Sequence, residues 1–512
     1  MNVLFFTQSR SLDVYYELYL RVKDELGIDK VGFFVANATH YDEFIATHKD
    51  FEKDFEVLKE WDINAKAKKH TADTGRIADY EKKIGDPTLW GPLVVDRRIY
   101  MGRNASFRQD YKPWDNHDQM LATMDVALMD IEKLFDSVKP DFVCTLYTAT
   151  YGDCLAHMFA KERGVRSLDL RLSRLKNNVM FVDGVEEPPG HITKLLEDYA
   201  DGAPLELKEQ AEEVISSVRK KNAMYEGVVP AGAKKPPSDH KGLLSKIGKL
   251  IEQYKTSQEE PYCYDRQVPS VLRKALFKNL LSPLTMRLIK NEFSSVTVGE
   301  TQLKELDYIL YPLHVEPELV LGQFARPFLN QVEVIRNISL SMPVGMKLLI
   351  KEHPMMLGRR SAGYYRKVLE IPNTQLAAFD MPSELALEHA KLVVIIRGAI
   401  GLEAVMRQKP VVSIGQSMFE LLPESMFKVC RNMYELPLAI EWMMGNYSYD
   451  HENLVRYLCA VQAGSAPVNL VTDLLGKKGR FRSGDTDDKQ EFSKHPHLDI
   501  LAENLIKRVS DG

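Results

Sequence analysis

The chain has 512 residues, with 67 Lys+Arg against 72 Asp+Glu, 45% hydrophobic and 9% aromatic residues. At about 100–200 residues per domain this length calls for several globular domains and excludes a single small module. A formal net charge of −5 gives no whole-chain field for a polyanion, so nucleic acid is not an expected partner.

Cys144, Cys154, Cys263, Cys430 and Cys459 form no CxxC pair and are odd in number, the pattern of buried thiols in a reducing compartment. The opening Asn2-Val3-Leu4-Phe5-Phe6 is too short and too uncharged for a secretion leader. No window approaches the roughly 18 apolar residues that span a bilayer. A cytoplasmic protein is expected.

Val3–Phe6 reads as a buried strand, followed by a helix with Leu12, Tyr15, Tyr16 and Tyr19 on one face. The same alternation recurs at Lys30–Val35, and at Asp141–Leu146 with the helix Asp153–Glu162 and the strand Arg166–Leu170. Residues 1–195 are therefore expected to form one α/β domain, with a helical excursion near 40–135. Strand signals vanish over 196–300, where 229–238 reads as a Pro/Gly linker and 241–251 as a helix with lysines opposite an apolar stripe. Counting 231–300 gives 12 Lys+Arg against 7 Asp+Glu, so 241–290 offers either a solvated helical arm or a foothold on the anionic inner face of a membrane or on a polyanionic glycan. From 301 to 475 the α/β alternation returns: strands at Tyr308–Leu313, Met346–Lys351, Lys391–Ile396 and Pro410–Ile414, helices at Val332–Leu340, Ser361–Leu369 and Gly401–Met406. Residues 476–512 read as a charged tail with a terminal helix. The fold class is α/β, two Rossmann-like doubly wound domains facing a cleft, with a helical insert.

Neither a GxGxxG nor a GxxxxGK[ST] loop is present, which argues against a dinucleotide oxidoreductase and a P-loop NTPase. In Lys351-Glu352-His353-Pro354 a buried strand ends in charge and imidazole, a place where His353 can meet a phosphate or give a proton. In Arg397-Gly398-Ala399-Ile400-Gly401-Leu402-Glu403 a buried strand runs through a glycine turn into a helix, whose first amides can cradle an anion while Glu403 accepts from a ribose diol. Each stretch has a structural alternative: an interfacial histidine held by backbone, and glycines that only permit close packing.

Lys351-Glu352-His353-Pro354, Gly358-Arg359-Arg360 with Tyr364-Tyr365, and Gly401-Leu402-Glu403-Ala404 through Lys409-Pro410-Val411-Val412 together resemble the bacterial capsule-polysaccharide biosynthesis glycosyltransferases, closest to the retaining β-Kdo transferase group. The likeness is strong over about 305–435 and covers the first domain in outline. It implies a GT-B architecture with the nucleotide on the second domain and the acceptor mainly on the first. It further implies that His353 meets the donor phosphate and Glu403 the ribose, beside Lys351, Gly398 and Gly401 read as donor-binding, and that Glu318, with Glu316 as a second catalytic carboxylate, takes the place of the group's catalytic Asp. Attack by that carboxylate on the anomeric carbon would give retention by double displacement. Asp169 is placed as the base for the acceptor hydroxyl, with Arg171 and Arg174 on the acceptor side.

The turn departs from the family in lacking Ser or Thr around Gly398, where Arg397 offers a guanidinium for an anionic donor instead. The second Lys494-His495-Pro496 follows no buried strand and is read as coincidence. The expected function is transfer of a sugar, Kdo or a related ulosonic acid from CMP, to a glycan or glycolipid acceptor, with no cofactor and no metal. Alternatives are a UDP-, GDP- or TDP-sugar donor, a catalytically silent scaffold of a polysaccharide assembly complex, and a nucleotide-sugar epimerase.

Overall fold

A computed structural model describes residues 1–100, 115–220, 281–476 and 492–511, with Pro113 and short pieces between 248 and 265. The linker at 229–238, Cys263 and most of the basic stretch 241–290 lie outside the described residues. Among the described residues no helix is long and apolar enough to cross a membrane.

The first sheet has six strands in the order β3-β2-β1-β4-β5-β6. They are β1 (Asn2–Thr7), β2 (Lys30–Val35), β3 (Glu56–Lys59), β4 (Phe142–Leu146), β5 (Arg166–Leu172) and β6 (Val179–Asp183). All pairs are parallel except β5 with β6. Strands covered by helices on both faces must be apolar throughout, as the buried Val3–Phe6 run is. Stacked rings of Phe5 on Phe33 and Phe6 on Phe34 tie β1 to β2 on opposite faces, at 5.4 and 5.0 Å between centroids.

The second sheet is parallel throughout, seven strands in the order β13-β12-β11-β8-β9-β10-β7. They are β7 (Thr297–Val298), β8 (Tyr308–Pro312), β9 (Lys347–Lys351), β10 (Thr374–Ala377), β11 (Leu392–Ile395), β12 (Val411–Ser413) and β13 (Phe427–Val429). Strand order reverses between β8 and β11. In open α/β sheets the crevice beyond the carboxyl ends at such a reversal is where ligands bind. The two doubly wound sheets are the expected α/β architecture.

Element boundaries depart from the expected domains in three places. β7 opens the second sheet at Thr297, before residue 301. The helix Leu205–Arg219, expected in an arm, packs Val214, Ile215 and Val218 into the second domain's core, and Arg219 Nε donates to the Met406 carbonyl at 2.8 Å. The helix Pro496–Ser510, expected in a tail, buries Leu498, Leu501 and Leu505 in the first domain's core beside Leu12 and Tyr15. In both helices the apolar stripe decides where they go: it must be covered, and the nearest open sheet face covers it.

Candidate functional site

The loop after β8 runs Leu313-His314-Val315-Glu316-Pro317-Glu318, and Glu318 stands at the start of the helix Leu319–Phe324. Its Oε2 lies 3.1 Å from His314 Nδ1. Burial alone would raise the Glu318 carboxyl, but the His314 hydrogen bond, with the positive charge of Arg174, wins and lowers it. His314 Nε2 in turn accepts from the Arg397 N–H at 3.4 Å, which leaves the ring proton on Nδ1 facing Glu318. The loops beyond β8 and β11, on the two sides of the strand reversal, are thereby joined through one imidazole.

Beyond β9, His353 Nδ1 accepts from the Met355 N–H at 3.2 Å, which places the proton of the neutral ring on Nε2. Burial lowers the imidazole to about 4, so at neutral pH it is an uncharged donor for an oxyanion. Glu352 beside it is structural: it accepts from Arg360 Nη1 at 2.5 Å, Tyr365 Oη at 2.6 Å and the His353 N–H at 2.5 Å. Arg360 is fully buried, stands 3.7 Å from Glu316 and donates to the His314 carbonyl. Glu316 is 2% exposed and accepts from Gln331 Nε2 at 2.5 Å. Its carboxylate is committed to the scaffold that shapes the Glu318 loop. Lys351 is likewise buried, its Nζ donating to the Glu352 carbonyl at 3.1 Å, and supports the loop from beneath instead of offering a free ammonium to a donor.

Gly398 has φ of 126°, a backbone region side chains rarely adopt, and a Cβ there would stand 3.6 Å from His314 Cε1. Gly401 has a different purpose. A Cβ would meet Ile395 Cδ1 at 2.5 Å and Phe427 Cε2 at 3.2 Å, so this glycine lets the helix Ala399–Met406 approach its sheet. Glu403 pairs with Arg407 at 3.3 Å, one turn along the same helix.

Arg397, expected at the donor phosphate, is already engaged. Its Nη2 meets Glu187 at 2.5 Å, its Nη1 the Gln416 carbonyl at 2.8 Å, and its guanidinium carbon lies 3.8 Å from the Phe324 ring centroid. Arg171 of the first domain reaches the same Glu187 at 3.0 Å and the same ring at 5.5 Å. Two arginines, one from each domain, thus share one buried carboxylate and one aromatic face. Asp169 holds Arg171 in place at 2.7 Å while accepting from Thr145 Oγ1 at 2.6 Å and the Thr148 N–H at 3.1 Å. Asp169 is 1% exposed, and its carboxylate is engaged by these three donors. Arg174, with φ of 64°, stands near enough to Glu318 to lower that carboxyl.

Arg97, unremarked in the sequence, also enters the site. Its Nη1 approaches the Pro317 carbonyl at 3.5 Å, and protein crowds its guanidinium enough to lower its pKa while surface remains open to solvent, as at a cleft wall. Glu187, Phe324 and His314 escaped sequence reasoning too. His314 had a signal, standing two residues past a buried strand; Glu187 had none, in the polar run Glu186-Glu187-Pro188.

Buried titratable groups give the fold an acid-side weakness. Burial lowers His157, His191 and His353 each to about 4, below the usual 6.5, so on acidification the unfolded chain takes up these three protons first. Asp153, which burial raises to about 7, takes up one proton in the folded state and offsets one of the three. Stability is expected to fall as pH drops from about 6.5 towards 4. Melting curves across that window check this, and an unchanged melting temperature would contradict it.

With the geometry in view, the comparison with known proteins is direct. Residues 282–422 match the family model for capsule polysaccharide biosynthesis proteins. That capsule-family segment contains Glu318, His353, Arg397 and Glu403. The capsule polysaccharide export protein KpsS of Escherichia coli is 30% identical over 103 residues, 19% of this chain. The match spans 25% of that curated relative's length. Among solved structures, the β-Kdo 2,7 transferase KpsC of Thermosulfurimonas dismutans has a TM-score of 0.35 and 12% identity over 67% of this chain and 83% of that one. UDP-GlcNAc 2-epimerase from Neisseria meningitidis has a TM-score of 0.27 and 11% identity over 90% and 98% of the two chains.

Proposed function

We propose that the chain is a glycosyltransferase of capsule polysaccharide synthesis, moving Kdo or a related ulosonic acid from its CMP donor to a glycan or glycolipid acceptor with retention. The observation that carries this reading is Glu318, an ionised carboxylate at the strand reversal, 3.1 Å from His314 and under the influence of His353, within the segment that matches the capsule family. In this reading Glu318 attacks the anomeric carbon as the bond to the CMP phosphate breaks, and the electron pair leaves on the phosphate. His353 Nε2–H steadies that oxygen. The acceptor hydroxyl then displaces Glu318 and loses its proton to water, so two inversions give net retention. Arg97 and Arg174 supply the positive charge that suits an anionic donor.

Thermal shift with CMP, CDP, UDP, GDP and TDP tests the donor. A ligand held only by the folded state at about 100 times its Kd adds roughly 2.7 kcal/mol. CMP is expected to stabilise the wild type and to lose that effect in His353→Ala. A shift with UDP, GDP or TDP instead would replace the donor and remove Glu318 as nucleophile. No shift with any nucleotide would favour a silent scaffold, the reading that the engagement of Arg397 by Glu187 supports.

A further inference from the structure

We infer that Asp473, His495 and His497 form a binding site for a zinc-like divalent transition ion. Asp473 lies in the turn Leu470–Leu474, and the two histidines flank Pro496 at the start of the helix Pro496–Ser510. One ligand atom from each residue falls within 4.8 Å of the others. His497 Nδ1 stands 3.4 Å and His495 Nε2 3.9 Å from Asp473 Oδ2. Metal bonds of about 2.0–2.2 Å around a tetrahedral centre set neighbouring donors roughly 3.4 Å apart, so the two carboxylate–imidazole separations need to close by at most about 0.5 Å and the imidazole pair, within 4.8 Å, by up to about 1.4 Å.

A second observation points to a ligand. The His495 side chain is 9% exposed, yet its Nε2 has no hydrogen-bond partner; at 3.9 Å the Asp473 oxygen it faces is too far for one. A cation between the three groups satisfies that nitrogen. Asn469 Nδ2 donates to Asp473 Oδ2 at 3.2 Å and orients the carboxylate, while the long contact of the Asn469 N–H with His497 Nδ1, at 3.4 Å, uses the same lone pair as the ion and is given up on binding. His495 Nδ1 accepts from the His497 N–H at 3.2 Å; on binding through Nε2 the ring proton moves to Nδ1 and that weak bond is given up. Two imidazole nitrogens, one carboxylate oxygen and a water in the fourth position suit Zn²⁺ or Co²⁺ and do not suit the all-oxygen preference of Ca²⁺ or Mg²⁺.

The ion would pin the helix Pro496–Ser510 to the turn Leu470–Leu474. Asn469 extends the connection, because the Asn177 side chain donates to its side-chain oxygen and Asn177 belongs to the β5–β6 loop that carries Arg174. The site is thus a staple on the first domain.

Full-length protein stripped with chelator, reloaded with Zn²⁺ and desalted is expected to retain one equivalent by elemental analysis. Co²⁺ in its place should give the visible d–d absorption of a four-coordinate N/O site. Asp473→Asn, nearly the same shape, and His497→Gln should each lose that equivalent and the cobalt bands while keeping the wild-type circular dichroism. Zinc should raise the melting temperature of the wild type and of neither variant. Retention of no zinc by the wild type, or of the same equivalent by both variants, overturns the assignment; if one variant fails to fold, the other decides.

Discussion

Glu318→Gln is expected to lower kcat for sugar transfer by roughly 10⁴-fold or more, the scale on which loss of a covalent nucleophile is felt. The amide keeps the shape, and His314 can still donate across the 3.1 Å contact, so the fold and the CMP-induced thermal shift should be unchanged. The separation of kcat from nucleotide binding is the point of the experiment. A group that merely shapes the loop would alter binding and rate together. Because the environment of Glu318 lowers its carboxyl, the wild-type rate should not begin to fall as pH descends through the ordinary carboxylate range near 4.3 on account of this residue. A Glu318→Gln enzyme within tenfold of wild type would remove the double displacement.

Arg360→Met is expected to destabilise the second domain strongly. The guanidinium is wholly buried, 2.5 Å from Glu352 and 3.7 Å from Glu316, and donates to the His314 carbonyl. Its removal leaves two buried carboxylates without their cation, and breaking such a pair costs about 3–5 kcal/mol. The urea midpoint of the second domain is expected to fall accordingly. Adding Glu352→Gln should recover part of the loss, since the neutral amide no longer needs a counter-ion. The double variant being worse than the single would show that packing of the long side chain, and not its charge, is what the site requires.

The strands that could be read from the sequence are the ones buried on both faces. Val3–Phe6, Phe142–Cys144, Ile309–Leu310, Leu348–Ile350 and Leu392–Ile395 are continuous apolar runs, and only a central parallel strand demands that. The edge strand β7 and its neighbour β10 carried no such mark. β7 has two residues, and β10 begins Thr374-Gln375, so pairing with a neighbour and not composition makes them strands. The site divides in the same way. Glu318 and His353 could be found because each follows a buried strand by a few residues. Arg397 could be found as a residue but not as a bond: its partner Glu187 is 210 positions away in the chain, and no local periodicity records a contact between domains. Lys494-His495-Pro496, dismissed for want of a preceding strand, begins a helix that completes the first domain.

That last helix bears on how the protein is made. Leu498, Leu501, Ala502 and Leu505 fill the same core as Val3 and Phe5, although nearly five hundred residues are synthesised between them. A nascent first domain emerging from the ribosome would therefore present an open apolar face while the whole second domain is translated. Domains usually fold in the order they appear, each as it is completed. Here the second domain can close first, and the first must wait, chaperoned or exposed, for its missing helix to arrive.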